Sequence, residues 1–541
     1  MLKKRTLALV VVEATVIGIV ATSIYALLLA KYNQVQQALV TEQVTDDHDA
    51  HLVAALLALP TLTPLPKSTL TPEQTAFAGA TLSPSITPSP DPSPTAYITV
   101  VTTAPPSPPK PSFVAVVRCD TISSPGSYRV TGDLVASGDC IKVEASHVIL
   151  DCDDHTLSGL ERTGYGISIR KYGLLGTMVP TNVEIKNCKL TGFLYGIYAE
   201  GAKDLSIHDN DSSGNYDDTE PNSRYGKFLG LLDGGGIRFD GVDSSQVTAN
   251  KTLHQAIGID VRTSTNISIT NNTSSDNSAW GINLLQTQNS QVSGNTTSDN
   301  VRQCMWGSGT IGWGCDAGGI AIQDGSNYNT ITANSVTGRN GNGIFIKAHA
   351  MPCGNNNSIV GNTITGFMYN AVELGFCTGN RVDGNTMRDG LDGIWLGFAH
   401  DTEIKNNTIA NMRNHGIISW NSRNNTISGN QIVNSNEGIF FYGSAYDAAS
   451  YSWLASGDYT SHDNCLCSNL FEGNGTAAVH LKDSTFNQVT GNTFRNNARG
   501  IVIEGKSNGN NTNGNNYSFL WGPELPKTVA LDHVWGYFRH E

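Results

Sequence analysis

Residues 381–409, RVDGNTMRDGLDGIWLGFAHDTEIKNNTI, decide the fold. The stretch contains two copies of one phrase, apolar-x-x-Asn-x-apolar, in which Asn385 and Asn407 lie 22 residues apart. Between the copies stands a second phrase, Gly-Ile-x-apolar, at positions 393–396. A period near this length, built from short alternating segments, is typical of one coil of a β-solenoid. The alternation predicts that Ile394 and the apolar residue two positions later point inward.

Both phrases recur between residues 113 and 505. The Gly-Ile slot occurs 13 times from Ile167 to Ile501, which predicts 13 coils and a rod about 60 Å long at about 4.8 Å per coil. A leucine-rich repeat has a similar period, but the Leu framework that it needs is absent. The recurring Asn is predicted to hydrogen-bond its counterpart in the next coil and to form an internal amide ladder. Its positions are 210, 250, 272, 295, 334, 362, 385, 407, 430, 469 and 492.

The composition agrees with an all-β chain. Only 15% of the 541 residues are charged, whereas 56 are Gly and 50 are Asn, and 49 of these Asn lie after residue 181. Few charges and much Gly argue against a helical bundle or a coiled coil. The net charge of -13 argues against a nucleic-acid-binding protein, because such a protein needs a basic face to contact phosphates.

The repeat phrases resemble those of the right-handed parallel β-helix superfamily, which includes pectin lyases and NosD-type proteins. Residues 119–143, CDTISSPGSYRVTGDLVASGDCIKV, and 148–159, VILDCDDHTLSG, are similar to the opening segment of the NosD-type group. The resemblance covers about residues 117–505 and implies a right-handed parallel β-helix. It does not fix an activity, because the superfamily includes lyases, hydrolases, epimerases and non-catalytic binders.

The N-terminal region predicts a membrane anchor. A mostly apolar run of 25 residues, Thr6–Ala30, lies between MLKKR and Lys31, and about 20 residues suffice to span a bilayer. The basic residues before the run place the N-terminus in the cytoplasm. A cleaved signal peptide is the alternative, although its apolar part would be shorter.

A Pro-rich stretch separates the predicted anchor from the repeats, since residues 60–112 hold 14 of the 20 prolines. Such a stretch cannot bury a core and stays extended. The predicted organisation is a transmembrane anchor (1–31), a helical stalk (32–59), a disordered linker (60–112), a right-handed parallel β-helix (113–505) and a C-terminal cap or tail (506–541). This order predicts a single-pass cell-membrane protein with its β-helix outside the cytoplasm.

Ten Cys in an exported segment predict disulfides. Sequence-neighbour pairing joins residues that are about one coil apart or closes an insertion. The predicted pairs are Cys119–Cys140, Cys152–Cys188, Cys304–Cys315 and Cys353–Cys377. The remaining Cys465 and Cys467 are predicted to point outward from one strand, where a disulfide would be strained and a metal clip is the alternative. We predict no cofactor, with copper, suggested by the NosD-type resemblance, as the alternative.

Function is expected on the outer face of the Gly-Ile strands, because insertions flank these strands and bare coils leave only shallow surface. The insertions are residues 214–233, 301–317, 348–356 and 443–463. Charged groups followed by aromatic side chains on this face indicate a sugar-binding groove, since flat rings stack on sugars. The predicted substrate-binding residues are Arg238, Arg262, Trp395, Trp420, Phe440 and Tyr442.

Two clusters compete for a catalytic role. In the first, Arg238, Asp240, Asp260 and Arg262 lie on adjacent coils. Stacking in register predicts that Arg238 lies beside Asp260 and that Asp240 lies beside Arg262. The cluster is either a carboxylate pair for acid–base chemistry, with Asp240 and Asp260 as catalytic residues, or a structural ladder of ion pairs.

The second cluster surrounds a depression that Gly375 and Gly397 are expected to leave between Trp395 and Trp420. A lysine, a carboxylate and two imidazoles suit proton abstraction or glycosidic protonation, and a binding subsite without chemistry is the alternative. The predicted catalytic residues of this cluster are Lys347, His349, Glu373 and His400.

The sequence therefore predicts a monomeric, membrane-anchored protein that binds a polysaccharide or a cell-surface glycan. If it is an enzyme, we expect a polysaccharide lyase or a glycoside hydrolase. The alternatives are a non-catalytic surface protein, either glycan-binding or structural, and a NosD-like copper-binding accessory protein.

Overall fold

A computed structural model of the chain describes residues 112–173, 176–217, 233–305, 311–313, 316–347, 353–444 and 460–518. The predicted anchor, stalk and nearly all of the predicted linker lie outside these residues, as does the tail after residue 518. Strands are the regular elements of the described part, which contains no α-helix. A helix long and apolar enough to cross a membrane is therefore not found in that part.

Most coils contribute one strand to each of three parallel stacks of strands, as expected for a right-handed parallel β-helix. We call the sheet of the Gly-Ile strands the GI sheet, and the sheets before and after the recurring Asn the pre-Asn and post-Asn sheets. The GI sheet has 15 strands, in order Thr121–Ile122, Ile141–Val143, Tyr165–Arg170, Tyr195–Glu200, Gly235–Asp240, Ile257–Arg262, Trp280–Leu285, Gly318–Gln323, Asn342–Lys347, Asn370–Gly375, Asp392–Gly397, His415–Trp420, Glu437–Tyr442, Ala477–Lys482 and Ile501–Glu504. The 13 predicted coils are therefore present, and the N-terminal segment adds two strands before them.

The other two sheets run alongside the GI sheet. The pre-Asn sheet contains Val114–Val116, Gly126–Val130, Val148–Asp151, Thr181–Lys186, Lys203–His208, Gln246–Thr248, Ser268–Thr270, Gln291–Ser293, Thr330–Thr332, Ser358–Val360, Arg381–Asp383, Glu403–Lys405, Thr426–Ser428, Cys465–Cys467 and Gln488–Thr490. The post-Asn sheet is divided at Asp211, which forms only isolated bridges with Lys189 and Lys251. Its first part has 3 strands, Leu134–Ala136, Thr156–Gly159 and Lys189–Thr191, and its second part has 11, Lys251–Leu253, Thr273–Ser275, Thr296–Ser298, Ser335–Thr337, Thr363–Thr365, Thr386–Arg388, Thr408–Ala410, Gln431–Val433, Leu470–Glu472, Thr493–Arg495 and Asn516–Ser518. Two short pairs lie beside them, Gln303–Met305 with Ile311–Trp313 and Ser461–His462 with Ser484–Thr485.

The interior is a continuous stack of apolar side chains from all three sheets. Ile394 and Leu396 are fully buried, as the alternation predicts. The glycine of each Gly-Ile pair also faces this interior. A Cβ atom on Gly393 would lie 2.5 Å from Cγ2 of Ile409, and one on Gly416 would lie 2.3 Å from Cγ2 of Ile432. Two successive residues thus point inward, and the residue before the glycine is on the outer face.

The predicted amide ladder is confirmed. From Asn210 to Asn515, Nδ2 of each recurring Asn donates to Oδ1 of its counterpart one coil later, over 2.9–3.1 Å. Two further amide ladders, which we did not predict, lie at the other corners of the coil. They include Asn425–Asn464–Asn487 before the pre-Asn sheet and Asn277–Asn300–Asn340 before the GI sheet. These ladders satisfy most of the polar groups of the buried turns from within the protein.

Three of the predicted disulfides are confirmed: Cys119–Cys140, Cys152–Cys188 and Cys353–Cys377. The predicted pair Cys304–Cys315 falls outside the described residues at Cys315. Cys465 and Cys467 form a disulfide with each other. Both sulfurs are engaged in this bond, so neither is present as the thiolate that a metal clip requires.

Candidate functional site

The outer surface of the GI sheet, which we call the GI face, carries most of the predicted site residues. Four insertions were predicted to flank it, but residues 218–232, 306–310, 314–315, 348–352 and 445–459 lie outside the described part. The predicted catalytic His349 is among them. Within the described part, the GI face divides into an N-terminal half, from Tyr165 to Arg262, and a C-terminal half, from Asn342 to Glu504.

The register of the first predicted cluster is confirmed, because Arg238 lies beside Asp260 and Asp240 lies beside Arg262. The closest ion contacts, however, run along the strands. Arg238 contacts Asp240 on its own strand at 3.0 Å and Asp233 at 2.6 Å, and Arg262 contacts Asp260 at 2.8 Å. Residues two apart on one strand face the same side, so long guanidinium side chains reach along the strand as easily as across it.

Asp260 is completely buried beneath these groups. Its carboxylate accepts hydrogen bonds from Arg262, from Nδ2 of Asn283 at 2.8 Å and from the Tyr195 hydroxyl at 3.3 Å. Burial alone would raise the pKa of Asp260, but Arg262 and Arg238 hold it below its ordinary value. A carboxylate that is sealed and surrounded by donors cannot contact a ligand from outside, so the geometry favours the structural alternative for this residue.

Tyrosines complete the N-terminal half. The rings of Tyr165 and Tyr198 stack with their centroids 4.4 Å apart, and the Arg170 guanidinium lies 5.3 Å and 5.2 Å from those centroids. Burial raises the pKa of Tyr198 to about 12. The N-terminal half is thus closed by contacts among its own side chains.

A small apolar cluster separates the two halves. Ile257, Trp280, Ala321 and Phe345 are buried on the outer side of the sheet, apart from the main core. Nε1 of Trp280 donates to the Asp316 carbonyl at 2.8 Å. Asp316, at the end of the insertion 301–317, is therefore hydrogen-bonded to the GI face beside the second predicted cluster.

The second predicted cluster is brought together at Lys347 and Glu373. Nζ of Lys347 lies 2.7 Å from Oδ1 of Asp316 and 3.7 Å from Oε1 of Glu373. Oε2 of Glu373 accepts hydrogen bonds from the side-chain amides of Asn342, at 3.1 Å, and Asn370, at 2.9 Å. Two carboxylates therefore share one ammonium group, and side-chain amides fix the orientation of one of them.

The predicted depression beside Lys347 is filled. A Cβ atom on Gly397 would lie 2.0 Å from Cη2 of Trp395, and one on Gly375 would lie 3.5 Å from Cζ3 of the same ring. The Trp395 indole thus lies over both glycines and does not form a wall beside them. The two glycines leave room for a flat ring on the sheet. The result is a flat aromatic surface and not a depression.

Aromatic side chains continue from Trp395 along the C-terminal half. The ring centroids of Trp395 and Trp420 are 6.0 Å apart, and those of Trp420 and Tyr442 are 6.3 Å apart with nearly parallel planes. Phe440 stacks on Tyr442 at 5.3 Å. Trp395, Phe440 and Tyr442 are partly exposed, whereas Trp420 is 7% exposed and supports its neighbours.

His400 lies in the turn after the Gly397 strand. Its Nδ1 contacts Oδ2 of Asp401 at 2.7 Å and Oγ1 of Thr378 at 3.1 Å. These partners belong to the turns between the GI and pre-Asn sheets, whereas the Lys347–Glu373 contact lies on the GI face. The structure therefore places His400 beside the predicted cluster and not in its hydrogen-bond network.

A row of acids and imidazoles in the C-terminal half was missed. Nδ1 of His415 lies 2.7 Å from Asp392, and its Nε2 lies 3.8 Å from Glu437. Glu437 also contacts His480 at 3.1 Å, and His480 lies 3.4 Å from Glu504. Burial alone would lower the pKa of His415, but Asp392 and Glu437 raise it above its ordinary value.

The inward-facing glycine explains why this row was missed. Strict alternation along the strand would point the residue before each glycine inward. That position was therefore not expected on the outer face. Because Gly and Ile both face the interior, that residue joins the outer face. The positions concerned include Tyr195, Asn342, Asp392, His415 and Glu437. Polar side chains recurring at a slot that should be apolar are the signal that would have found them.

Two family models match the chain. The model described as "Right handed beta helix region" matches residues 128–306 and 227–369, and the model described as "Periplasmic copper-binding protein (NosD)" matches residues 350–518. A comparison with curated proteins finds no match.

Among solved structures, the A-module of the mannuronan C-5 epimerase AlgE6 of Azotobacter vinelandii is 12% identical, covers 75% of this chain and 91% of its own, and has a TM-score of 0.39. The periplasmic alginate epimerase AlgG is 12% identical, with coverage of 74% and 78% and a TM-score of 0.32. DFA-IIIase from Arthrobacter chlorophenolicus A6 is 15% identical, with coverage of 51% and 70% and a TM-score of 0.32. Because these TM-scores are low, the evidence of relationship is the match to the two family models.

The residues matched by the NosD model do not fit a copper site in the part of the chain that the structure describes. Soft thiolates or several imidazoles are the ligands that copper prefers, yet Cys465 and Cys467 are joined in a disulfide. Nδ1 of the nearby His462 contacts Asp463 at 2.7 Å. No group of three or more His, Cys, Asp or Glu with metal-binding geometry occurs among the described side chains.

Proposed function

The chain belongs to the right-handed parallel β-helix superfamily, with NosD-type repeats, and on this fold we propose that it binds a polysaccharide along the C-terminal half of the GI face. The observation that carries the proposal is the aromatic series Trp395, Phe440 and Tyr442, with Trp420 packed among them. These rings lie on three successive coils, so they form a track along the axis of the solenoid. Flat, partly exposed rings of this kind stack on the apolar faces of sugars.

Polar groups lie at one end of this track and supply the other half of sugar recognition. Lys347, Asp316 and Glu373 are held in place by direct contacts, and Trp395 lies on the strand next to Glu373. An oriented carboxylate and an ammonium group bind hydroxyl or acidic groups of a sugar at low cost, because their side chains are already ordered.

The binding proposal is tested with affinity gels that contain polygalacturonate, xylan or a β-glucan. We expect the full chain to be retarded by at least one of them. Trp395→Ala should weaken that retardation by about tenfold or more, since a stacked ring is lost. Tyr328→Ala is the matched control, because Tyr328 is an aromatic residue, 59% exposed, in a turn outside the GI face. Retardation by none of the polysaccharides would refute the proposal.

Cleavage is the enzymatic extension of the proposal. Two carboxylates around one ammonium group are a chemically sufficient set for proton transfer to or from a sugar. If the protein cleaves the polysaccharide that it binds, reducing ends or unsaturated products should appear, and Glu373→Gln should abolish them while the fold is kept. A bound polysaccharide without products identifies a non-catalytic binding protein.

We also infer a location outside the cytoplasm, with the N-terminal segment as a membrane anchor. The support is the set of disulfides in the described residues, since such bonds form and persist in oxidising compartments. Residues 6–30 supply the apolar run that the anchor requires. Membrane fractionation followed by protease treatment of intact cells tests the location, and resistance of the β-helix in intact cells would contradict it.

A further inference from the structure

The disulfide Cys465–Cys467 differs from the others in its position on a single strand. Both cysteines lie on the outer side of the pre-Asn sheet and are partly exposed, whereas Leu466 between them is fully buried. Cys152, Cys188, Cys353 and Cys377, by contrast, are all at most 2% exposed. A dithiol reagent can therefore approach Cys465 and Cys467 without unfolding a coil.

Among the disulfides of the described residues, this one also contributes least to the stability of the fold. It joins residues only 2 apart, whereas the other described disulfides join residues 21, 36 and 24 apart. A disulfide stabilises mainly by restricting the unfolded chain, and the restriction grows with the size of the closed loop. Opening Cys465–Cys467 therefore costs less folding free energy than opening any of the other three.

The strand that carries this disulfide is held in place independently of it. Residues 465–467 pair in parallel with Thr426–Ser428 on one side and with Gln488–Thr490 on the other. The amide ladders through Asn464 and Asn469 fix the turns at both ends of the strand. The reduced protein should therefore keep its coils, which is the condition for reversible reduction.

We propose that Cys465–Cys467 is a thiol–disulfide exchange site that accepts two electrons from a dithiol. A thiolate of the dithiol attacks Sγ of Cys465, the Cys465–Cys467 bond breaks, and Cys467 leaves as a thiolate that takes up a proton. The second thiol of the donor then resolves the mixed disulfide, so that both cysteines end as thiols and the donor ends as a disulfide. Oγ1 of Thr490 lies 3.7 Å from Sγ of Cys467, placed to donate a hydrogen bond to that leaving thiolate.

The test exposes the native full chain to increasing dithiothreitol, blocks free thiols with one alkylating reagent, and labels the remaining cysteines with a second reagent after denaturation. Peptide mass spectrometry then assigns each cysteine. We expect half-reduction of Cys465 and Cys467 at a dithiothreitol concentration about tenfold or more below that for Cys152–Cys188 and Cys353–Cys377. Removal of the reductant under air should restore the bond, with the thermal midpoint staying within a few degrees of its starting value throughout.

Two variants separate exchange from structural effects. Cys465→Ser with Cys467→Ser should abolish the early two-electron step and leave the thermal midpoint within a few degrees of the parent. The matched pair Cys119→Ser with Cys140→Ser should keep the early step and lower the midpoint. Reduction of Cys465–Cys467 only together with the buried disulfides would overturn the proposal. Free thiols at these positions before any reductant is added would overturn it as well.

Discussion

The two halves of the GI face occupy the same slots of the same repeat and differ in what their side chains contact. In the N-terminal half, Arg238 and Arg262 neutralise carboxylates two residues away on their own strands, and Asp260 is completely buried. In the C-terminal half, Trp395 and Tyr442 remain partly exposed beside paired polar groups, of which Lys347 is partly exposed and Glu373 is buried. Charged residues on an outer face are therefore not by themselves evidence of a site.

The difference teaches how a solenoid converts register into contacts. Register determines which residues are neighbours, and it does so in both halves. Side-chain length then determines which neighbours become partners. Long guanidinium groups form ion pairs along their own strand and cover the surface. The flat Trp395 ring lies over Gly397, and its outer side stays partly exposed. The open half is for this reason the half to which we assign binding.

The largest effect is expected from breaking the closed half. Asp260→Asn removes the carboxylate with which Arg262 pairs in a fully buried position, and we expect a loss of about 3–5 kcal/mol in unfolding free energy. Glu373→Gln in the open half should cost about 1–2 kcal/mol, because Lys347 keeps Asp316 as a partner. Denaturant titration followed by circular dichroism measures both. Equal losses of unfolding free energy in the two variants would show that the ion pairs of the two halves do not differ in their contribution to stability.

A second prediction concerns a feature that the halves share. Gly258→Ala and Gly393→Ala place a methyl group in the interior. The nearest atom to it is Oγ of Ser274 at Gly258 and the Gly416 carbonyl oxygen at Gly393. Overpacking of this kind costs about 1–3 kcal/mol, and we expect similar losses in both halves. Gly475→Ala is the control, since its new Cβ would meet nothing closer than 3.8 Å. If thermal melts give clearly different losses for Gly258→Ala and Gly393→Ala, the packing around the inward-facing glycine differs between the two halves.

The sequence predicted the repeat, the register and the Asn ladder because these depend on strict spacing. It did not predict the ion pairs around Arg238, since spacing does not specify how far a side chain reaches. It also missed His415 and Glu437, because the inward-facing glycine breaks the alternation from which outer positions were deduced. The position of the Trp395 ring over Gly397 was likewise not predictable from residue types, because a glycine indicates free space but not what fills it.

The smallest expected effect is a pH dependence confined to the C-terminal half. The pKa of His415 is raised by Asp392 and Glu437, so the stability that its protonation contributes is fully present below its unfolded pKa of about 6.5. That contribution is lost as the pH rises through the raised pKa of the folded state. The groups that face it are Asp392, Glu437 and, through Glu437, His480.

We therefore expect the thermal midpoint of the parent chain to fall between pH 6 and pH 9 by more than that of His415→Gln, which keeps a polar side chain but cannot take up a proton. Asp260 provides the contrast, because its lowered pKa in the folded state places its own effect on the acid side. Loss of its stabilising contribution should begin only as the pH falls below about 4. If the thermal midpoint changes equally between pH 6 and pH 9 in the parent and in His415→Gln, protonation of the acid–imidazole row does not contribute to stability. The two halves would then differ in exposure alone, and the aromatic track would carry the whole distinction between them.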